Sequence, residues 1–502
     1  MPYYVTTPIY YVNAEPHLGH AYSTIAADIL ARHMRQRGED VFFLTGTDEH
    51  GEPVELAAER EGISPQELAD RNAPRFEAMA RSVGASNDFF IRTSDPRHEA
   101  RVAEIMQRVH DNGHVYEGVY EGWYCPRCAD FKTERELGPG NTCPIHEIAL
   151  EREREENWFF RLSAFEDDLK RLYAERPDFV VPGFRRNEAV SFVEQGLEDV
   201  SLSRPKLKWG MTLPWDPSQR MYVWFDALLN YVTALSFARD GDDLTERYWP
   251  AAFHVLAKDI LKFHAVIWPA LLLAAGLNPP RGMVIHGYLL MGDKKMSKSL
   301  GNVLDPFTVI ERFGADPLRF YCFREVSFGQ DGSVSAAGFE TRYETELAND
   351  FGNLANRTLA MVERYRDGVV PEADPDPELA GGDAGLSGTA EQVRALLDRA
   401  ELTEALEVIW RDVRRLNRYV EETRPWDLAK DDGSAERLDT VLYSLVEGLR
   451  VTTLLLCAYI PATAERLLPA LGEDGRGLAD FGSRGGGQRT ERLAPLFPKL
   501  ET

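Results

Sequence analysis

Cysteine is scarce. Five in 502 residues exclude a disulfide framework, and three of the five stand close to one histidine. Long apolar runs are missing too. The strongest, from Ala265 to Leu277, contains Pro269 and is too short to span a bilayer comfortably, so it reads as a buried helix. The opening Met1-Pro2-Tyr3-Tyr4-Val5-Thr6-Thr7-Pro8 lacks the basic start and apolar stretch of a signal peptide, which points to a cytoplasmic protein with no membrane partner. Basic charge is in deficit: 57 Lys and Arg against 81 Asp and Glu leave a net charge of −24. That excludes a basic coat blanketing phosphates, while a local basic groove for nucleic acid remains open. There is no internal repeat. What the chain has is 44% hydrophobic residues, ample for buried cores, and a length that suggests two to four domains.

The first fifty residues read strand, helix, strand. Tyr3 to Tyr11 is rich in β-branched and aromatic residues, apolar positions recur at helical spacing from Leu18 to Met34, and Gly38 sits where a helix stop belongs. Val41 to Leu44 predicts a short strand ending at Thr45-Gly46-Thr47-Asp48-Glu49-His50-Gly51. Such an opening favours a parallel α/β sheet with ligands at the carboxyl ends of its strands. Between about 115 and 205 the character changes, with a Cys/His cluster, the charge run Glu151 to Glu156 and Trp158-Phe159-Phe160; this reads as an insertion. The α/β pattern returns from Tyr222, through Phe253-His254-Val255-Leu256, to Met283-Val284-Ile285-His286. From about 340 the pattern is helical, broken by loop-like pieces at 367–388 and 471–487.

Two short motifs carry chemistry. Pro16-His17-Leu18-Gly19-His20 falls where the first strand hands over to the first helix. A helix start offers unpaired backbone N–H groups to a phosphate, and the small Gly19 lets a purine approach the backbone. A pair of surface histidines at a helix start fits the same four residues. Lys295-Met296-Ser297-Lys298-Ser299 sits in a Gly- and Lys-bearing loop. It can close over a triphosphate and stabilise charge on departing pyrophosphate, or it can be a solvated basic loop. A third pattern, Cys125-Pro126-Arg127-Cys128, then fourteen residues, then Cys143-Pro144-Ile145-His146, has the spacing of a tetrahedral Cys₃His zinc site. Four protein ligands leave no open position, so one structural Zn2+ per chain is expected, holding an insertion too small to build its own core.

Together, the His-Leu-Gly-His and Lys-Met-Ser-Lys-Ser signatures are the pair that marks class I aminoacyl-tRNA synthetases. From Thr6-Thr7-Pro8-Ile9-Tyr10-Tyr11-Val12-Asn13 to the C-terminal helices, over roughly residues 1–465, the sequence resembles the methionyl-tRNA synthetase family of the bacterial type with one zinc knuckle. The resemblance implies a Rossmann-type doubly wound parallel sheet split by the zinc-knuckle insertion and followed by a mostly α-helical anticodon-binding domain. The domains so implied are 1–114 and 206–290 for the two catalytic halves, 115–205 for the insertion, 291–345 for the lysine loop and stem-contact region, and 346–502 for the helical domain.

It further implies L-methionine, ATP with Mg2+, and the methionine tRNA as substrates, with His17, His20, Lys295 and Lys298 catalytic. Gly19, Asp259 and Ser297 join those four around ATP, although Ala257-Lys258-Asp259 carries alanine where the family has glycine. Trp224, Ala227, Leu228 and Tyr231 form one helical stripe, and Ile260, His264 and Trp268 another. By periodicity alone both are core faces; the resemblance makes them the methionine pocket, with Ile9 and Tyr11, and makes Asp48 the carboxylate for the substrate ammonium. Asn353, Arg357 and Trp426 match the anticodon readers, where the plain reading is a core tryptophan and a surface arginine. A sister enzyme for valine, isoleucine or leucine would need a larger insertion than the about 90 residues here. A cysteinyl enzyme would put zinc in the active site, and a small nucleotidyltransferase needs no helical tail. A non-catalytic tRNA-binding paralogue would be expected to lose His17, His20 or Lys298, and all three are present. The family commonly appends a dimerisation module, for which the chain past Leu496-Phe497-Pro498 leaves no room, so a monomer is expected.

Overall fold

The computed structural model describes residues 1–125, 130–132, 134–145, 147–290, 305–381 and 385–499. Lys295, Ser297, Lys298, Cys128 and His146 lie outside the described residues. The chain divides into two compact units: one comprises Met1–Ala27, Val41–Arg81 and Asn87–His286, the other Asp28–Asp40, Ser82–Ser86 and Gly287–Thr502.

The first unit is built on a six-stranded sheet. In chain order its strands are β1 (Pro2–Tyr11), β2 (Asp40–Asp48), β3 (Phe89–Arg92), β7 (Val180–Val181), β11 (Ala252–Ala257) and β12 (Gly282–His286). Across the sheet they run β3-β2-β1-β11-β12-β7. The β2–β3, β1–β11, β11–β12 and β12–β7 pairings are parallel, with Tyr4 opposite Ala252 and Ala257 opposite His286. Strands covered on both faces read as near-continuous buried runs, and β1, β2 and β12 do so. Gly46 is required by this packing, because a Cβ there would stand 2.1 Å from the Ile91 carbonyl oxygen on β3. Helix α1 (Leu18–Gln36) follows β1, and Gly38 turns the chain at φ 77°. Helices α2 (Glu52–Glu61) and α3 (Pro65–Ser82) lead to β3, and α4 (Pro96–Asp111) leaves it. The sequence order of strands reverses between β1 and β11, and such a switch point opens a crevice at the carboxyl ends.

A second, four-stranded sheet follows, ordered β5-β4-β6-β8, from β4 (Val115–Cys125), β5 (Asp130–Lys132), β6 (Glu151–Phe160) and β8 (Val200–Ser201). Its spine is the antiparallel β4–β6 pair, registered from Val115 opposite Phe160 to Tyr124 opposite Glu151. The charge run 151–156 is therefore a strand, with Glu155 turned inward onto Arg204 at 3.0 Å and Lys206 at 3.2 Å. Helices α5 (Glu166–Glu175) and α6 (Gly183–Glu194) and the ribbon of β9 (Ser203–Arg204) and β10 (Arg220–Met221) complete this stretch.

Neither aromatic stripe lies on one continuous α-helix. Trp224 and Ala227 belong to α7 (Val223–Ala227) and Tyr231 to α8 (Asn230–Phe237), with a turn at Leu228 and Leu229. Ile260 ends a 3₁₀ turn, His264 lies in a π-helical segment Phe263–Ile267, and Trp268 opens α10 (Trp268–Ala274). Pro269 in the first turn of α10 explains part of this: it has no N–H for an α-type bond to the preceding turn. The short helix Thr245–Tyr248, α9, precedes β11.

The second unit is helical. It runs through α11 (Pro306–Phe313), α12 (Ala315–Glu325), α13 (Ala336–Arg342), a π-helical stretch Tyr343–Gly352, α14 (Asn353–Arg366), α15 (Pro377–Ala380), α16 (Thr389–Asp398), α17 (Leu402–Thr423), α18 (Pro425–Leu428), α19 (Ala435–Leu456) and α20 (Pro461–Ala470). A small ribbon pairs β13 (Leu289–Leu290) with β14 (Gly332–Ser333). Helix α19 is buried from Val441 to Leu456 and forms its axis. The buried Arg319 is satisfied by Asp28 at 2.8 Å and by the carbonyls of Tyr459, Val83 and Ala458. Among the described residues no helix is long and apolar enough to cross a membrane.

Candidate active site

The carboxyl ends of β1, β2, β11 and β12 bring the first candidates together in the first unit. At the start of α1 the His17 and His20 rings stack with centroids 3.7 Å apart. The backbone N–H of His17 donates to His20 Nδ1, and that of Gly19 to His17 Nδ1, each at 3.1 Å. A neutral ring whose Nδ1 accepts carries its proton on Nε2, so both rings present an Nε2–H donor. Neither Nε2 has a partner among the described residues. Burial, and then the neighbouring His17, pull the His20 pKa well below its usual value, which favours that neutral form. Tyr10, hydrogen-bonded to the His20 carbonyl at 3.1 Å, and Phe76, edge-on at 5.2 Å, brace the ring. A Cβ at position 19 would stand 3.0 Å from His17 Cε1, so glycine is what lets the ring fold back. His286, ending β12, hydrogen-bonds Ser23 of α1 at 2.8 Å. Asp259 is exposed on the 3₁₀ turn after β11.

Asp48 ends β2, buried, with Oδ1 lacking a hydrogen-bond partner among the described residues. Burial, and then the charge of Asp226, push its pKa well up; a cation held there would reverse that. Its neighbours are tied down. Glu49 accepts from Arg92 at 2.7 and 2.9 Å and from Thr47 at 2.7 Å. His50 Nδ1–H donates to Asp226 Oδ2 at 2.6 Å, and His98 Nε2–H to Asp226 Oδ1 at 2.8 Å. Burial works to lower the His50 pKa, but Asp226, Glu99 and Asp48 raise it to about 10. Burial likewise works to raise Asp226, and the charges and hydrogen bonds of His50 and His98 hold it at about 2. The pair is an imidazolium and a carboxylate.

Beside this lies an aromatic and imidazole box. Tyr231 Oη is 2.8 Å from His264 Nε2, while His264 Nδ1 donates to the Ile260 carbonyl at 3.0 Å. That assignment leaves Nε2 to accept from the tyrosine. His254 stands with ring centroid 4.3 Å from Tyr231 and takes the Trp268 indole N–H at 3.3 Å. Burial lowers His264 to about 4 and His254 well below its usual value, so both are neutral near pH 7. Trp224 stacks flat on Phe263, centroids 3.8 Å apart and planes at 7°. Ile9, Tyr11, Trp224 and Ile260 are half-buried against the cluster that contains Leu228, Tyr231 and Trp268. Ala227 is buried in α7. Asp226, His50, His98, His254 and Phe263 were not among the candidates. For Asp226 and His254 the one signal in sequence is a charged or imidazole group inside an apolar run, Trp224-Phe225-Asp226-Ala227 and Phe253-His254-Val255; His50, His98 and Phe263 carry no such signal.

Of the zinc candidates, Cys125 ends β4 and Cys143 lies between β5 and β6; both are fully buried and share one small cluster with Leu150. In the helical unit Asn353 opens α14, exposed. The Arg357 guanidinium lies 5.8 Å from the Trp426 ring centroid and 2.8 Å from Glu421. Trp426 is half-buried on α18 rather than a core residue.

Comparison with known proteins agrees with this architecture. A family model described as "tRNA synthetases class I (M)" matches residues 3–153 and 141–359. A methionine–tRNA ligase of Caldanaerobacter subterraneus is 43% identical over 507 residues, covering 99% of this chain and 79% of that one. One from Rhizobium meliloti is 45% identical, covering 99% and 98%. The structure of Mycobacterium tuberculosis methionyl-tRNA synthetase in complex with methionyl-adenylate superimposes with a TM-score of 0.92 at 42% identity, covering 99% of both chains. The sheet order, the helical second unit and these matches agree: the chain belongs to the methionine–tRNA ligase family of class I aminoacyl-tRNA synthetases.

Proposed function

We propose that this chain joins L-methionine to ATP, forming methionyl-adenylate and pyrophosphate, and then transfers methionine to the 3′ adenosine of the methionine tRNA. The observation that carries the reading is the buried Asp48 carboxylate, one oxygen unpartnered, packed in the same unit as a neutral aromatic and imidazole box. Asp48 takes the ammonium. A thioether has no charge and hydrogen-bonds weakly, so Ile9, Tyr11, Trp224, Ala227, Leu228, Tyr231, Ile260, His264 and Trp268 read it by shape and sulfur–ring contact.

The methionine carboxylate attacks the α-phosphorus, and the bond to the bridging oxygen breaks as pyrophosphate leaves. No side-chain nucleophile is needed; position and charge stabilisation drive the step. His17 and His20 offer Nε2–H donors to phosphate oxygens, Gly19 and Asp259 accommodate the nucleoside, and Lys295, Ser297 and Lys298 close on the leaving group. Mg2+ enters with ATP. In transfer, the terminal adenosine hydroxyl attacks the acyl carbon and AMP departs.

Cys125, Cys128, Cys143 and His146 would hold one structural zinc. Two fully buried thiols suit this, since the cluster they share with Leu150, flanked by half-buried Trp123, Leu137 and Ile148, is too small a core to fix a loop by itself. Cys125→Ser should lower metal stoichiometry first and charging second; a metal-replete wild type free of zinc would refute the site. Asn353, Arg357 and Trp426 would read the anticodon. The domain limits implied by the resemblance, a monomeric state and a cytoplasmic location complete the proposal. The deciding experiment is ATP–pyrophosphate exchange tested against each amino acid. Exchange should depend on methionine alone, and a rate as high with isoleucine or cysteine would overturn the reading.

A further inference from the structure

Within the first unit, one charged group touches neither candidate ligand set and yet joins them. Asp226 is 1% exposed. It sits on α7 between Trp224 and Ala227, two residues of the side-chain box. One of its oxygens holds His50, two residues past Asp48, at 2.6 Å; the other holds His98 on α4 at 2.8 Å. His98 in turn is 2.7 Å from Thr233 Oγ1 on α8, the helix that carries Tyr231. A buried carboxylate with both oxygens taken by imidazoles from different elements is a rigid three-way joint. Truncating it leaves an uncompensated buried cation at His50.

We infer that Asp226 is a positioning residue for the amino-acid site: through His50 and His98 it fixes the Asp48 carboxylate, which takes the ammonium, relative to α7 and α8, which take the side chain. The inference rests on the reading of Asp48 as the ammonium ligand. The device acts on methionine alone, because nothing in the joint belongs to the His17 and His20 end of the crevice. It also keeps the charge next to Asp48 constant. The charged or titratable groups facing His50 are Asp48 and Glu49 on its own segment, Glu99 and His98 from α4, and Asp226 from α7, with the Trp209 indole 5.4 Å away. Asp226 and Glu99 together hold His50 protonated across the neutral range.

Asp226→Asn tests this with the shape retained. The amide accepts from one imidazole but cannot accept from both. KM for methionine in pyrophosphate exchange should rise tenfold or more, while KM for ATP and kcat at saturating methionine stay within about threefold. By NMR the His50 ring should be silent between pH 5 and 8 in the wild type and should titrate inside that window in the variant. Asp226→Glu, which keeps the charge, should restore the silent ring even where the longer arm lowers affinity. A methionine KM within twofold of wild type, or equal damage to the ATP and methionine parameters, overturns the inference. Should Asp226→Asn fail to fold, His98→Gln, which removes one arm and keeps a donor, is read by the same two KM values. Asp48→Asn separates the two layers of the argument. If it leaves the methionine KM unchanged, the ammonium reading and this inference fall together. If it raises that KM and Asp226→Asn does not, only the inference falls.

Discussion

The two ends of the crevice are built in opposite ways. At the proposed nucleotide end, His17 is exposed, Gly19 and His20 are half-exposed, Asp259 is exposed, and the hydrogen bonds that set the two imidazole rings are local, within three residues of sequence. At the amino-acid end, Asp48, His50, His98, Asp226, Tyr231, His254, His264 and Trp268 are buried, and their bonds span the chain, 176 residues for His50 to Asp226 and 248 for Thr6 to His254. The difference follows from what the proposed function asks each end to recognise. A triphosphate is recognised by charge and by donors that a turn of helix supplies on its own, and it has to enter and leave through solvent. A thioether offers almost nothing to bond, so its reader has to be a dry, preformed shape, and only tertiary packing makes one.

The sharpest way to break this comparison is at the lysine loop. If the nucleotide end works by electrostatics in the transition state, Lys298→Ala should slow adenylate formation by about 10²–10³-fold. Methionine binding, measured by equilibrium titration, should stay within about twofold, because none of the packed end is touched. Near-wild-type exchange at saturating substrates would remove the loop from the chemistry. Equal loss of methionine affinity would mean that the two ends are not separable.

Legibility in the sequence divides along the same line. The strand–helix–strand opening, the Gly38 stop and the helical second half follow from periodicity and turn residues that act locally, although β2 runs on past the expected Val41–Leu44 to Asp48. So does the histidine motif at the start of α1. The carboxyl-end position of Asp48 was readable from the same pattern, but its burial and the His50–Asp226 pair beside it were not, because no local rule links positions 50 and 226. The two aromatic stripes were readable as apolar faces only. They are broken at Leu228 and by the π-helical turn at His264, where tertiary packing and Pro269 override α-helical spacing. Their reading as a methionine pocket came from the resemblance, since a stripe of this kind is a core face by periodicity. Nor did the sequence suggest that a strand from within 115–205, Val180–Val181, pairs with β12 in the main sheet.

A smaller effect is expected in the helical unit, which contains a comparable contrast between two tryptophans. Trp410 on α17 is fully buried against Phe320 and Phe351. Trp426 is half-buried with the Arg357 guanidinium over its ring. Trp426→Ala should weaken tRNA charging about tenfold or more, since base stacking on an aromatic is worth roughly 1–3 kcal/mol. Methionine-dependent exchange and the melting temperature should hold. Trp410→Ala should lower the melting temperature and harm both activities together. If Trp426→Ala behaves like Trp410→Ala, the anticodon role is wrong.

The smallest effect concerns how dry the amino-acid end is, and it is read from stability against pH. Burial lowers the His264 pKa to about 4, whereas in an unfolded chain it lies near the usual histidine value of about 6.5. Between those values the unfolded chain binds a proton that the folded chain does not. The contribution of the neutral ring is therefore complete above about pH 6.5 and is lost as pH falls toward 4. The slope approaches about 1.4 kcal/mol per pH unit inside that window. His254, also lowered by burial, has the same sign; His50, raised to about 10, has the opposite one and loses its contribution as pH rises. His264→Gln keeps an acceptor for Tyr231 and removes one titration, so the wild type minus variant difference isolates it from the others. Measured by denaturant unfolding, that difference should shrink by about 2 kcal/mol between pH 7 and pH 5. A difference that stays flat across the window would mean that water reaches His264, and the contrast between a wet end and a dry end would then fail at its centre.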